Sequence, residues 1–352
     1  MNPQRNGHMM AAVLHGPEDL KVQQVEIPKV GAGDLLVQVK VALTCGTDFK
    51  VWKQGYHPRM IVPPAIFGHE LAGVVAEAGE AVRYKYPLGM RVVAGNSAPC
   101  NECFFCKKDK ANLCEDLVFN NGAYAEYALI PARIVRENLV EIPAHLGFIA
   151  AALVEPLACV LRAVEETGVQ PGDTTAVIGC GPIGLQFIRV LSSRGARVIA
   201  IGKRGSQLRV AERLGAAATC DVSQTADVVA AVRDLTHGRY GADSVIEAVG
   251  SPLTWQWAVQ LARCGGTVNL FGGCPRGTRV EFESSAIHYS EITIKSSFHH
   301  TPRFIREALD LIARGDVDAK DFVTGEVPLT ELPQVFEHMK NRNGQLKVAV
   351  MP

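Results

Sequence analysis

The chain has 352 residues, 47% of them hydrophobic and 20% charged, which permits a sizeable core and excludes a largely disordered protein. That length suggests two domains. Lys and Arg number 36, as do Asp and Glu, and a net charge of zero argues against nucleic acid or an anionic membrane as the main partner.

The polar start, Met1–His8, has no apolar core and reads as an extension without a secretory signal, with the folded part expected from near Met9. The longest apolar run, Phe148–Leu161, is too short to span a bilayer and carries Glu155 in its middle. The expectation is a cytoplasmic protein with reduced cysteines.

From Met10 to about Ile142 the chain reads as short strands and turns. Leu35–Leu43 alternates partly at period two, and Leu71–Glu77 followed by Gly79 reads as strand then turn. Pro63, Pro64, Pro87 and Gly89 punctuate the region. Cys45-Gly46-Thr47-Asp48 follows one strand, and Gly68-His69-Glu70 precedes another. Alone, a histidine is more often structural and a cysteine more often packing.

Of ten cysteines, Cys100, Cys103, Cys106 and Cys114 fall together, while the others are scattered singly. Their C-x2-C-x2-C-x7-C spacing lets four thiolates converge on one tetrahedral Zn²⁺ with no open position, so the ion would hold a lobe together and do no chemistry. A disulfide pair is the alternative; the metal is favoured because the chain otherwise looks cytosolic. Val154-Glu155-Pro156 heads the apolar stretch Leu157–Val164. A carboxylate there needs a partner, and a metal ion is a natural one.

From about Pro171 strands and helices alternate. Thr174–Gly179, Arg197–Gly202, Ala218–Val222, Ala242–Gly250, Gly266–Gly273 and Ile292–Phe298 read as strands. Ile183–Ser193, Gln207–Leu214, Val228–Thr236 and Leu253–Arg263 read as intervening helices. This pattern predicts an α/β domain with a doubly wound parallel sheet. Gly179-Cys180-Gly181-Pro182-Ile183-Gly184 lies directly after its first strand and before a helix. There the first glycine makes the turn, the second admits a pyrophosphate and the third lets helix pack on strand, so dinucleotide binding is favoured over a plain turn.

The second strand ends in Gly202-Lys203-Arg204-Gly205-Ser206, where an NAD site usually presents a carboxylate to the ribose. The missing acid and the adjacent cations favour NADP(H) over NAD(H), the alternative being two solvated loop charges. After Phe298 come an amphipathic helix, Phe304–Ala313, and a tail, Val327–Pro352, whose strand Leu346–Met351 is expected to return to the first domain. No internal repeat is evident.

Cys-Gly-Thr-Asp, Gly-His-Glu, the four-cysteine lobe, Glu-Pro-Leu-Ala and the glycine fingerprint occur here in the order and spacing of zinc-dependent medium-chain dehydrogenases. The chain resembles their sorbitol (L-iditol) and threonine dehydrogenase branch over residues 10–352. The resemblance implies a β-rich GroES-like catalytic domain, residues 1–157 and 298–352, with a Rossmann domain, residues 158–297, inserted in it. It implies an active site in the cleft between the domains and two zinc ions per chain. Cys45 and His69 would ligate the catalytic zinc, and Glu70 would be the adjacent carboxylate that ligates or exchanges with water. Glu155 matches a ligand position that is cysteine in many alcohol dehydrogenases and glutamate in the polyol branch. Cys159, one helical turn on, is not favoured. Thr47 matches the hydroxyl that relays the substrate proton, and Asp48 the acid that orients the zinc-bound histidine. Gly179, Gly181, Pro182, Ile183, Gly184, Gly202, Lys203 and Arg204 would meet the cofactor.

Two departures stand out. Lys50 occupies the place where many relatives carry the histidine that ends the proton relay. Phe298-His299-His300 stands where relatives acting on sorbitol show Phe-Arg-Tyr, which argues against sorbitol itself; the two histidines could face the cleft, the cofactor or a neighbouring subunit. The expected reaction is reversible oxidation of a secondary alcohol (a polyol, cyclitol or amino alcohol) to a ketone. The expected assembly is a homo-oligomer, tetramer or dimer, with no nucleic-acid or membrane partner. Alternatives are a dehydrogenase of simple secondary alcohols using NAD(H), a non-catalytic NADPH sensor, a zinc-free quinone or enone reductase, and a zinc-ribbon module that binds nucleic acid. Trp52, Tyr56, Phe119 and Asn120 are candidates for the substrate pocket or for lobe packing.

Overall fold

The structure is a computed structural model of the chain, and it describes residues 7–57, 60–341 and 345–352. The expectation for the polar start therefore falls mostly outside the described residues. The first strand, His8–Gly16, begins one residue before the expected start of folding. Contacts divide the chain into two compact units, Met1–Pro156 with His300–Pro352, and Leu157–His299.

In the first unit the Val- and Leu-rich strand Leu35–Leu43 organises the main sheet. It runs antiparallel to Leu71–Ala78 on one side, with Ala42 opposite Leu71, and pairs also with Tyr127–Ile130. Beyond Leu71–Ala78 come Arg91–Ala94 and Leu139–Glu141. The C-terminal strand Lys347–Met351 pairs antiparallel with the same central strand, Ala349 opposite Leu43, and carries Val323–Pro328 beside it. The tail thus returns to the first unit as its sequence suggests. A three-stranded sheet of Asp19–Glu26, His8–Gly16 and Ala65–Ile66 completes the larger part of the lobe. Its core gathers Leu35, Val37, Val39, Phe67, Trp52, Tyr124 and Phe336.

The second unit holds six strands, all parallel, ordered Ala216–Asp221, Arg197–Gly202, Thr174–Ile178, Ala242–Glu247, Ala262–Leu270 and Thr293–Lys295. In sequence terms this is 3-2-1-4-5-6, the doubly wound order. The reversal beside the first strand sends right-handed crossovers to opposite faces and opens a crevice at that strand's C-terminal end. The first strand reads TTAVI and is buried along its whole length, as a central parallel strand must be.

Several boundaries differ from expectation. The helix expected at Leu253–Arg263 spans Pro252–Leu261, and the chain turns straight into a strand at Ala262 (φ −69°, ψ 141°) with no loop between. The strand expected at Gly266–Gly273 spans Ala262–Leu270. The last strand is only Thr293–Lys295. Among the described residues no helix is long and apolar enough to cross a membrane.

Candidate active site and metal centres

Cys45 leaves the central strand and caps the helix Gly46–Gln54 in an extended conformation (φ −124°, ψ 147°), its Sγ accepting the Thr47 amide at 3.4 Å. His69 and Glu70 stand immediately before the neighbouring strand Leu71–Ala78. The ladder joining the two strands continues past their ends, the Leu43 amide donating to Glu70 O at 2.9 Å, and this draws the segments together. As a result the Cys45 thiol, a His69 ring nitrogen and a Glu70 oxygen all lie within 4.8 Å of one another.

These groups are held from behind. His69 Nδ1 lies 2.9 Å from Asp48 Oδ1, which fixes the ring and leaves Nε2 as the nitrogen suited to a metal. Asp48 in turn accepts the Tyr124 hydroxyl at 2.6 Å. Tyr124 fits against Gly68, whose φ is +91° and where a Cβ would lie 2.5 Å from the tyrosine ring. Both Glu70 oxygens accept from Lys347 Nζ at 2.6 Å, and Lys347 also donates to Thr44 O at 3.1 Å. Sequence reasoning found Asp48 but missed Tyr124 and Lys347. Lys347 left a signal, a lysine at the head of an apolar strand; Tyr124 left none at short range.

Asp48, His69, Glu70, Glu155 and Lys347 are all buried. Burial pulls the His69 imidazole down, but Asp48 and Cys45 outweigh it and hold the ring well above its ordinary range. Burial raises Glu70, with Lys347 working against it, and pushes Glu155 up to about 7. A thiol, an imidazole and carboxylates withdrawn from water around one point make a donor set that a divalent cation satisfies, so the residues fit a zinc ion. Glu155 is not a member of the 4.8 Å triplet; it lies in the first turn of the helix Val154–Thr167, and His69 and Glu70 act on it electrostatically. His300 is buried too, its Nε2 3.0 Å from Asn96 Oδ1 and 3.8 Å from Glu155 Oε1.

The four-cysteine lobe is built differently. All four thiols are free, with Cys103 Sγ 3.5 Å and Cys100 Sγ 4.0 Å from Cys106 Sγ. Tetrahedral Zn–S bonds of about 2.3 Å place sulfurs roughly 3.8 Å apart, whereas a disulfide needs about 2 Å. Amides of Cys103 and Glu102 donate to Cys100 Sγ, and that of Cys100 to Cys114 Sγ. Such bonds favour thiolates at two positions, the amides of Glu115 and Cys106 drawing Cys103 down to about 6 and that of Glu102 lowering Cys100, while burial pushes Cys106 up to about 12 and raises Cys114. This donor set fits a closed, structural zinc.

In the second unit the glycine loop forms a cradle. Gly179 has φ +103°, and a Cβ on Gly184 would lie 1.7 Å from Gly179 O, so helix and strand meet only if both stay bare. Gly181 faces open space, and Pro182 starts the twelve-residue helix Pro182–Ser193, whose free amides can meet a phosphate. Lys203 is exposed, and half-buried Arg204 stands at the cap of the helix Gly205–Arg213. The geometry fits a dinucleotide.

Among the other expected residues, Thr47 and Lys50 are exposed on the helix Gly46–Gln54. Of the two readings of Trp52, the structure shows lobe packing: it is 1% exposed and packs on Phe49 and Phe336. Tyr56 is exposed, and Phe119 belongs to a short strand paired with Ser97–Ala98. Within the second unit, Arg162 donates to the carbonyls of Phe298 and His299, the latter at φ +69°, which fixes the backbone three to four residues past the end of the sixth strand.

A β-rich lobe with a closed and an open metal site, followed by a dinucleotide sheet, defines a zinc-binding dehydrogenase of the medium-chain type. The chain belongs to that family. Residues 31–144 match the alcohol dehydrogenase GroES-like domain and residues 182–314 the zinc-binding dehydrogenase family. A probable D-xylulose reductase A of Aspergillus clavatus is 32% identical over 345 residues, covering 95% of this chain and 94% of the relative. The sorbitol dehydrogenase of Bacillus subtilis is 29% identical over 353 residues and covers 98% of each. A putative zinc-binding dehydrogenase of Sinorhizobium meliloti, solved bound to NADP, superposes with a TM-score of 0.88 at 35% identity, covering 98% of this chain and 99% of that one. The protein is a zinc-dependent dehydrogenase of alcohols or polyols.

Proposed function

We propose that the protein interconverts a secondary alcohol of the polyol, cyclitol or amino-alcohol class and its ketone, using NADP(H) in preference to NAD(H). Cys45 and His69 hold the catalytic zinc, with Glu70 and Glu155 as the carboxylates beside it. Cys100, Cys103, Cys106 and Cys114 hold the structural zinc. The convergence of Cys45, His69 and Glu70 within 4.8 Å carries this reading. When bound, zinc supplies a Lewis acid for the substrate oxygen, and the nicotinamide ring supplies the hydride acceptor.

The chain's own residues do the rest. Thr47 Oγ1, exposed in the first turn of a helix that Cys45 caps, takes the proton from the substrate hydroxyl and passes it outward, being both donor and acceptor. Asp48 and Tyr124 hold the His69 ring in one orientation throughout. Lys347 balances the Glu70 charge, so the centre is not left with buried carboxylates alone. Gly179, Gly181, Pro182, Ile183 and Gly184 seat the pyrophosphate.

The NADP(H) preference draws support from the absence of an acid at Gly202, from Lys203 and Arg204 beside it, and from the NADP-bound relative. Sugar and polyol names among the relatives support a polyhydroxy substrate. A homo-oligomer, dimer or tetramer, is the proposed assembly. Metal analysis of the purified protein should give about two zinc ions per chain. A panel of polyols, amino alcohols and aliphatic alcohols with both cofactors should show turnover with NADP⁺ and a polyhydroxy alcohol; turnover confined to enones, or one zinc and no turnover, would reverse the reading.

A further inference from the structure

We propose that Cys180, the residue between the first two glycines of the loop, decides cofactor choice by wedging against Gly202 and barring an acidic side chain from the end of the second strand. The proposal rests on the reading of NADP(H) as the preferred cofactor and supplies its physical cause.

The strands Thr174–Ile178 and Arg197–Gly202 lie side by side, with Ile178 opposite Ile201. The chain leaving the first strand therefore passes the end of the second, and Cys180 comes to rest beside Gly202. A Cβ built on Gly202 would lie 2.9 Å from Cys180 Sγ, 3.3 Å from Cys180 Cβ and 2.9 Å from Leu208 Cδ2. Apolar atoms settle at about 3.5–4.0 Å, so even a methyl group collides on two sides at once. Both contacts are side-chain ends in a crowded interior, so each must shift to admit the methyl group. Cys180 is 3% exposed and Leu208, on the helix Gly205–Arg213, is 6% exposed. Position 202 is where an NAD site mounts its ribose carboxylate. The wedge closes that position.

The same residue serves the cation that replaces the acid. With its amide oriented to satisfy both partners, buried Gln207 donates to Cys180 O at 3.3 Å and accepts from Arg204 Nη1 at 3.0 Å. The Cys180 side chain excludes a carboxylate, while its carbonyl anchors the strut that holds Arg204. Both effects act in one direction, against NAD(H) and toward a 2′-phosphate.

Two measurements on the zinc-loaded protein test this. The first is a stability cycle without cofactor, comparing Cys180→Ala, Gly202→Ala and the double variant by thermal melting. Gly202→Ala should lower Tm clearly in the wild-type background and less with Cys180→Ala, because the Cys180 Sγ contact is gone while that of Leu208 remains. Additive shifts would overturn the wedge whatever cofactor binds. The second measures NADPH and NADH dissociation constants by nicotinamide fluorescence. Wild type should bind NADPH more tightly, and Cys180→Ala/Gly202→Asp should bind NADH at least about tenfold more tightly than Gly202→Asp alone. Equal NADH affinity in those two variants, both folded, would overturn the role of Cys180 in cofactor choice. A wild-type preference for NADH would instead overturn the NADP(H) reading, and the proposed role with it, leaving only the packing contact that the melting cycle judges.

Discussion

The two units solve the problem of making a site by opposite means. The catalytic lobe gathers charge: Asp48, His69, Glu70, Glu155 and Lys347 are all withdrawn from water and tied to one another. The cofactor unit subtracts side chains, and Gly179, Gly181, Gly184 and Gly202 leave backbone and space where other residues would intrude. A charged cluster tolerates shape changes but not the loss of a partner. A bare cradle does not tolerate an added methyl group. That contrast predicts which substitutions each unit can bear.

The largest effect belongs to Cys45→Ser, which weakens a ligand of the open zinc without touching the cradle. Turnover should fall by roughly three orders of magnitude or more, about the loss expected when the central electrophile goes. Zinc content should drop from about two to about one per chain, with cofactor binding kept. Near-normal activity with full zinc would mean that Cys45 is not a ligand. Lys347→Met comes next. It strands Glu70 in the interior without its cation, and breaking a buried pair in this way costs about 3–5 kcal/mol. Urea unfolding should record that loss, and adding Glu70→Gln should recover much of it. A Lys347→Met variant as stable as wild type would show that Glu70 carries no buried charge.

The same contrast explains what the sequence disclosed. The four cysteines and the glycine loop are contiguous, so their chemistry is written at short range, and both were legible before any fold was known. The open centre needs Cys45 beside His69, and these two became candidates only through the resemblance of the whole motif order, whereas Glu155 stood out by itself as a carboxylate in an apolar stretch. Lys347 is 277 positions from the Glu70 it neutralises, and no local period links them. Tyr124 meets Asp48 across 76 positions for the same reason. Nearness in sequence to Cys45 left Trp52 open between substrate pocket and lobe packing, and its helix turns the indole inward onto Phe336. Alternation of strand and helix revealed the parallel sheet, while boundaries such as Leu261 to Ala262 depend on backbone angles that composition does not encode.

In the bare cradle a methyl group is the probe. Gly184→Ala puts a carbon 1.7 Å from Gly179 O, a backbone atom that cannot rotate aside. Helix and strand must separate, at a cost of about 1–3 kcal/mol by the usual scale of overpacking. Thermal melting should show the loss, and binding of either dinucleotide should weaken because the helix N-terminus moves with it. Unchanged affinity for both would mean that this loop does not seat the pyrophosphate.

The smallest effect comes from one of the charge pairs of the cofactor unit, which also holds Arg162–Glu166 and Arg239–Asp234. Asp243 accepts Arg263 Nε at 2.6 Å and the Thr174 amide at 2.8 Å, joining the first, fourth and fifth strands at the end of the sheet away from the glycine loop. Burial pushes the Asp243 carboxyl up, but these hydrogen bonds outweigh it and hold it below the usual carboxylate range. A lowered folded value means that the contribution is complete above the unfolded value of about 3.9 and is lost as pH falls through the lower folded value. Arg263 is 41% exposed, so solvent screens the pair and Asp243→Asn should cost less than about 1 kcal/mol at neutral pH. The gap between wild type and Asp243→Asn should narrow below about pH 4. Because the pair lies at the opposite end of the strands, dinucleotide affinity should not change at any pH where both proteins are folded. A loss of cofactor binding in Asp243→Asn would show that charge reaches the cradle after all, and the division between the two units would fail at that point.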